Sequence, residues 1–277
     1  MDAIRINFTV SRSARRSQGP LTLTRALATS CNIYFQKLGI ATGIDSISEW
    51  AQRLGLGELS GIDLPGEFAG TRASKATKRL RNVQEYDKTW FKADTAQSAI
   101  GQFDNAFTIV QLARYTAALA TGNLVSPHVI QDVTAEDGTV LFTGSTEVSP
   151  IGISATTLAS IRTAMEAVVS SEEGTAYDYL GDFPIPLACK TGTAETGFED
   201  SKNSNGLFVC YAPANDPQIA IALVVEQGEW GSSTAVIAKK LLLSYFELSD
   251  PSLTDAEVSD PLIGDIFIPI ATPSPTP

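Results

Sequence analysis

The sequence contains few of the residues that build metal sites and disulfide frameworks. Its 277 residues include three cysteines and one histidine, His128. Cys31, Cys189 and Cys210 are odd in number and show no Cys-x-x-Cys spacing, so neither a disulfide framework nor a zinc site is indicated. A single histidine excludes a multi-histidine metal site, and its place before an apolar run argues against a Ser-His-Asp triad. We therefore expect no metal and no cofactor.

The sequence also has no surplus of positive charge and no long apolar run. The formal net charge is -11 and the pI is about 4.6, which argues against a nucleic-acid partner because little is available to neutralise phosphates. No apolar run is long enough to span a membrane, and the first residues contain no hydrophobic signal region. With 43% hydrophobic residues, the chain can bury a core as one large domain or two small ones.

The most informative stretch is 188–194, which reads Ala-Cys-Lys-Thr-Gly-Thr-Ala and is followed by apolar runs at 207–212 and 218–225. Three consecutive antiparallel strands are the simplest arrangement. Alternate side chains of a strand share a face, so the Lys190 side chain is expected to point to one face and those of Thr191 and Thr193 to the other. Gly192 would let a flat ligand approach the strand, and a ligand with a carboxylate and an amide fits these groups. An ordinary strand with a solvated lysine is the competing interpretation.

Cys189 and Cys210 fall on the first two of these predicted strands. They could be strand neighbours, although two small buried thiols are the favoured interpretation.

The rest of the chain reads mainly as helices. Ser30 is predicted to end a short helix that starts near Leu21, and Asn32 has a structural interpretation as the cap of the next helix. The basic cluster 72–81 is predicted to be a solvated loop. Asp137-Gly138 indicates a hairpin between 129–133 and 140–142. Further helices are predicted at 47–54, at 107–121, after Ser154 and at 233–246. Residues 1–20 are predicted to be irregular, and 248–277, acidic and then rich in proline and threonine, to be a disordered tail.

Several phrases of the sequence together resemble the C-terminal part of the penicillin-binding protein transpeptidase domain, in particular the class B enzymes of cell elongation. The resemblance covers 21–246, and the implied domain is 21–247. It implies an α+β fold, an antiparallel sheet flanked by helices plus an all-helical lobe, as in the β-lactamases. The phrases are Ala-Leu-Ala-Thr-Ser-Cys-Asn-Ile-Tyr-Phe at 26–35, Gly-Ile-Asp-Leu-Pro-Gly-Glu at 61–67, Ile-Gly-Gln at 100–102, Gln-Leu-Ala at 111–113, Pro-His at 127–128 and Lys-Thr-Gly-Thr-Ala at 190–194.

The resemblance also implies a serine acyl-transfer site for the D-alanyl-D-alanine end of a peptidoglycan stem peptide, or for a β-lactam that mimics it. By motif match, Ser30 would relay a proton and Asn32 would orient the catalytic lysine and the substrate amide. Lys190 would supply positive potential, and the hydroxyls of Thr191 and Thr193 would bind the substrate carboxylate. The Thr193 backbone N–H would form half of an oxyanion hole.

The nucleophile motif of the family, Ser-x-x-Lys, does not occur in the sequence. The nearest pattern, Thr89-Trp90-Phe91-Lys92, follows Ser30, whereas the family's nucleophile precedes that position. We therefore expect either an N-terminally incomplete domain or a derived form without the nucleophile, and in both cases no acyl-enzyme. An incomplete domain is also expected to expose an apolar groove beside Ser30 and Lys190.

Three functions remain open from the sequence. The first is part of a class B D,D-transpeptidase at the extracytoplasmic face of the bacterial membrane, with its anchor in preceding sequence and a glycosyltransferase or elongation-complex protein as partner. The second is a β-lactamase or β-lactam sensor of the same fold. The third is a non-catalytic protein that binds peptidoglycan or a partner. The transpeptidase-like phrase at 61–67 and the helix containing 111–113 disfavour the second.

Overall fold

The computed structural model describes residues 21–195, 204–228 and 230–249, which contain helices and antiparallel strands in the expected α+β mixture. Residues 1–20 and nearly all of the predicted tail lie outside the described residues. In chain order the elements are α1 (Leu23–Ala28), α2 (Asn32–Thr42), α3 (Ile44–Arg53), α4 (Lys75–Arg81), α5 (Lys92–Ser98), α6 (Ile109–Thr121), β1 (Asn123–Val125), β2 (Asp132–Thr134), β3 (Val140–Thr143), β4 (Val148–Pro150), α7 (Ala155–Ser170), α8 (Tyr177–Leu180), β5 (Ala188–Ala194), β6 (Asn205–Ala212), β7 (Ile219–Val225) and α9 (Ala235–Tyr245).

The main sheet contains the three predicted strands, all antiparallel, in the order β5-β6-β7. Lys190 lies opposite Val209, which in turn lies opposite Ala222. The central strand β6 is the most deeply buried, and Phe208 and Tyr211 are fully enclosed. Within the described part of the chain β5 is an edge strand, so its outer side is free to receive other groups.

One face of this sheet packs against α6 and α7. Leu119 of α6 and Met165 of α7 form a buried cluster with Ala188 and Tyr211. The two helices begin where the sequence provides caps: the Thr108 side chain accepts from Gln111 N in a reciprocal capping box, and the Ser154 side chain accepts from Thr157 N. These predicted helices are confirmed, and they fix one wall of the site next to β5.

The helical lobe is held by close contact between α2 and α5. A Cβ added to Gly39 would lie 2.2 Å from the Cβ of Ala99, so only glycine allows the two helices to approach this closely. Asn32 is the first residue of α2, and Cys31 precedes it as the N-cap without a side-chain hydrogen bond. The interpretation of Asn32 as a helix cap is therefore wrong.

The predicted start of the hairpin is corrected by a tertiary contact. The hairpin between β2 and β3 is present, but its first strand begins at Asp132 and not at residue 129. The reason is that the Asp63 carboxylate accepts from Val129 N at 2.7 Å and from Ile130 N at 2.9 Å, which diverts these donors from a strand ladder. Both bonds lower the pKa of Asp63.

The basic cluster 72–81 is not a solvated loop, because most of it forms α4. Lys78 is only 7% exposed and donates to Asp94 Oδ2 at 2.6 Å. Its ammonium also lies near three ring centroids: Trp90 at 5.9 Å, Phe91 at 5.1 Å and Phe103 at 5.4 Å. A lysine can be buried here because its charge is paired and faces aromatic rings.

The chain divides into two compact units, 1–239 and 240–277. In the described part of the second unit, the end of α9 is closed by a hydrogen bond from Leu248 N to Leu243 O at 2.8 Å. None of the helices in the described ranges is long and apolar enough to cross a membrane.

Candidate active site

Lys190 is the charged centre of the site. Its Nζ donates to Ser30 Oγ at 2.8 Å and also to the Thr191 carbonyl. Burial lowers the pKa of Lys190 to about 8, because a desolvated ammonium is less stable than the neutral amine. No described carboxylate forms an ion pair with it. Among the described residues its positive potential is therefore uncompensated, and it is available to an incoming anion.

Ser30 reaches Lys190 from a strained turn between α1 and α2. Its φ of 50° lies in the left-handed region, which costs a residue other than glycine on the order of 1 kcal/mol or more. Hydrogen bonds from Ser30 N to Leu27 O and from Cys31 N to Ala26 O hold the turn. The exposed Asn32 side chain has no hydrogen bond to another described residue. The structure thus joins Ser30 and Lys190 by a hydrogen bond, whereas the Asn32 side chain makes no such bond to either of them.

Thr191 and Thr193 point away from the Lys190 face, as predicted, and each hydroxyl has a partner. Thr191 Oγ1 lies 2.7 Å from Thr175 Oγ1, and Thr193 Oγ1 accepts from Gly231 N at 3.2 Å. The Thr193 carbonyl accepts from Gln102 Nε2 at 3.2 Å. These contacts orient the hydroxyls and show that the outer edge of β5 presents acceptors to other groups.

Two residues of this network were not found by sequence analysis. Thr175 donates its backbone N–H to Ala28 O at 3.1 Å, so it links the turn containing Ser30 to Thr191 on β5. Gly231 packs directly on the backbone of Gly192. A single threonine and a single glycine carry no sequence signal of their own, because both roles depend on contacts distant in the chain.

A cavity of about 680 Å³ lies beside β5 on the face that carries Lys190. Its walls include Lys190 and Thr193 from the strand, and Leu112 and Tyr115 from α6. Most of the lining is apolar, as the expected groove requires, but Ser30 is not among the lining residues. The cavity can enclose the apolar part of a ligand whose anionic end meets Lys190.

Replacing Thr175 by valine tests its role as a positioning residue. Valine keeps the shape but loses the hydroxyl that pairs with Thr191, and one lost hydrogen bond costs about 1 kcal/mol. We expect urea denaturation to show a loss of that size. Thr175→Ser is the matched control, since it retains the hydroxyl, and a valine variant as stable as the serine variant would contradict this role.

The family of the penicillin binding protein transpeptidase domain matches residues 7–243. The chain belongs to this family. The peptidoglycan D,D-transpeptidase MrdA of Escherichia coli strain K12 is 29% identical over 88% of this chain, and MrdA of Acinetobacter baumannii is 31% identical over 81%. These matches cover 40% and 34% of the two relatives, so the chain spans less than half of their length.

Solved structures of penicillin-binding proteins share the fold. The Helicobacter pylori protein PBP2, in its complex with MreC, matches 87% of this chain and 44% of its own chain, with 28% identity and a TM-score of 0.72. Pseudomonas aeruginosa PBP2 in complex with WCK 5153 matches 92% of this chain and 57% of its own, with 27% identity and a TM-score of 0.71. The predicted fold class and the class B, elongation-type family are confirmed.

Proposed function

We propose that the chain supplies the substrate-binding part of a D,D-transpeptidase domain, which recognises the D-alanyl-D-alanine end of peptidoglycan stem peptides and the β-lactams that resemble it. The observation that carries the proposal is the Lys190 ammonium, which is bonded to Ser30 at 2.8 Å and paired with no described carboxylate. A buried cation without a counterion suits a ligand that brings its own carboxylate.

In this proposal each residue of the strand has a separate task. Lys190 attracts the ligand carboxylate, and the hydroxyls of Thr191 and Thr193 donate hydrogen bonds to it. Gly192 has no side chain, so the ligand can lie against the strand. The Thr193 N–H stabilises developing negative charge on the scissile carbonyl, a contribution typically worth about 3 kcal/mol. With the lysine of a Ser-x-x-Lys motif in place, Ser30 would relay a proton between that lysine and the leaving group, and Asn32 would orient the lysine and the ligand amide.

We further propose that these 277 residues bind β-lactams reversibly and do not become acylated. Acylation needs a serine activated by a neighbouring base, and the family motif that supplies both, Ser-x-x-Lys, does not occur in the sequence. Ser30 is already engaged by Lys190, and it lies outside the lining of the cavity.

Labelling with fluorescent penicillin tests this second proposal. We expect no band that survives denaturing electrophoresis, and reversible, Lys190-dependent binding of the same compound by fluorescence anisotropy. A stoichiometric, heat-stable adduct would refute the absence of a nucleophile. A Ser30→Ala variant would then tell whether Ser30 had formed that adduct.

A non-catalytic role in binding peptidoglycan or a partner is the second candidate, and the missing nucleophile motif favours it. Related proteins have been solved as a complex of PBP2 with MreC and as a peptidoglycan synthase complex. We propose that this chain likewise acts with an elongation-complex protein or glycosyltransferase at the extracytoplasmic face of the membrane. Retained binding of stem peptide without any acylation, including in any longer form of the protein, would select this role.

A further inference from the structure

Cys189 and Cys210 lie directly opposite each other on β5 and β6. Both side chains are completely buried, and both thiols are free. The structure bears out both interpretations, because the two cysteines are strand neighbours and both are small buried thiols. Directly opposite residues of an antiparallel pair project from the same face of the sheet, so the two sulfur atoms share one side of the strand pair.

The backbone of β5 shows which kind of pair this is. The carbonyls of Thr191 and Thr193 accept from the side chains of Lys190 and Gln102 at the outer edge, so these residues turn their backbone groups away from β6. The N–H and C=O of one strand residue point to the same side, and this direction alternates along the strand. The register between β5 and β6 has no shift, so Cys189 also turns its backbone outward.

Cys189 and Cys210 thus form a non-hydrogen-bonded pair, the class in which opposite residues are closest. Their Cα atoms are expected about 4.5 Å apart, inside the range of roughly 4.4 to 6.8 Å that a disulfide spans. A hydrogen-bonded pair would hold the side chains further apart. The geometry of the unshifted sheet is therefore compatible with a bond between the two sulfur atoms.

We propose that Cys189 and Cys210 are a site for a cross-strand disulfide that forms while β5 and β6 assemble, by exchange with a small-molecule or protein disulfide. One cysteine thiolate attacks the oxidant disulfide and releases one thiol. The second cysteine then attacks the sulfur of the first and releases the second thiol. Two cysteine thiols are oxidised, one disulfide is reduced, and the two protons leave on the released thiols.

Burial explains why the bond would form during folding and persist afterwards. In the folded chain desolvation raises the pKa of both thiols, that of Cys210 to about 12. The reactive thiolate is therefore scarce, and no surface reaches either sulfur atom. The redox conditions at the time of folding would decide the state of the pair, and the completed sheet would preserve it.

The bond would also stabilise the strand that carries the site. It would close a loop that contains Lys190 and the Lys-Thr-Gly-Thr stretch, and a loop of about 20 residues is long enough to restrict the unfolded chain substantially. We expect the oxidised form to melt roughly 5 to 10 °C higher than the reduced form. This inference does not depend on the proposed enzymatic function.

Refolding the full chain in glutathione buffer with excess oxidised glutathione, in parallel with dithiothreitol, tests the proposal. Peptide mass spectrometry without reduction should find a Cys189–Cys210 peptide only in the oxidised sample, with Cys31 free or glutathionylated. A Cys31→Ala variant should behave identically, whereas Cys210→Ala should lose both the cross-link and the rise in melting temperature.

Several results would overturn the proposal. One is the absence of the cross-link after oxidative refolding, and another is a disulfide that joins Cys31 to either strand cysteine in preference. A third is an oxidised chain that fails to refold, because the native sheet could not then accommodate the bond. Native reduced protein provides an independent measurement, and its two buried thiols should react with a thiol reagent at least tenfold more slowly than Cys31.

Discussion

Replacing Lys190 by methionine is expected to stabilise the folded chain and to weaken its ligand binding at least about tenfold. Burial lowers the pKa of this lysine from 10.5 to about 8, and a shift of that size corresponds to at most about 3 kcal/mol of destabilisation at neutral pH. Methionine removes this penalty but also the bonds to Ser30 and Thr191. We expect a net gain of about 1–2 kcal/mol and a loss of β-lactam binding of at least about tenfold.

The pH dependence of stability separates this explanation from simple repacking. Below pH 8 the lysine is protonated in both the folded and the unfolded chain, so the full penalty is present. Between about pH 8 and 10.5 the folded chain has lost the proton that the unfolded chain still binds, so the free energy of unfolding rises with pH. The methionine variant should lack the part of this rise that Lys190 contributes.

Urea denaturation at pH 7 and pH 9.5, together with anisotropy titration of fluorescent penicillin, measures both effects. Lys239→Met is the matched control, because Lys239 forms a surface ion pair with Asp182 at 3.1 Å and lies outside the strand. It should change neither the pH profile nor binding. Reduced stability of the Lys190 variant at pH 7 would show that its hydrogen bonds outweigh its desolvation.

Among substitutions that add a single methyl group near the site, Gly231→Ala is expected to reduce the stability of the fold most. Its Cβ would lie 1.9 Å from the carbonyl oxygen of Gly192 and 2.6 Å from the carbonyl carbon. Both are backbone atoms of a paired strand and cannot rotate aside. The segment that contains Gly231 would have to leave the strand and give up its bond to Thr193 Oγ1, at a cost of about 3 kcal/mol or more.

Thermal and urea unfolding measure this cost, with Ser232→Ala as a neighbouring control that adds no atoms. We expect the alanine variant at 231 to lose ligand affinity as well, since the Thr193 hydroxyl would no longer be oriented. A loss of stability below 1 kcal/mol would mean that the 230–234 segment is not needed against β5.

Prediction from sequence succeeded where the signal is periodic or local. Alternation along 188–194 predicted that Thr191 and Thr193 would share one face and Lys190 the other, because side chains of a strand must alternate. The helices predicted at 107–121 and after Ser154 are α6, which begins two residues later at Ile109, and α7, which Ser154 caps. These features depend on neighbouring residues only, and any fold that contains the segment preserves them.

Prediction failed where a residue distant in the chain binds a charged side chain or a backbone N–H group of the segment. Nothing within the basic cluster reveals that Lys78 is buried, because its counterion Asp94 and the surrounding rings come from later in the chain. The strand predicted from residue 129 was shortened by the Asp63 carboxylate, 66 residues away from Val129. In each case tertiary contact supplied a partner that changed the local outcome.

By itself, the sequence indicated the family, the three consecutive strands of the main sheet, and Ser30 and Lys190 as candidate site residues. Tertiary structure alone decided how those residues work together, because Ser30 meets Lys190 across 160 residues of chain. It also brought Thr175 into contact with the Thr191 hydroxyl and Gly231 into contact with the Thr193 hydroxyl. The physical reason is that the pKa of Lys190 depends on burial, and the orientation of a hydroxyl depends on its partner. Both are properties of the packed chain, whereas strand alternation and helix capping are already present in its residues.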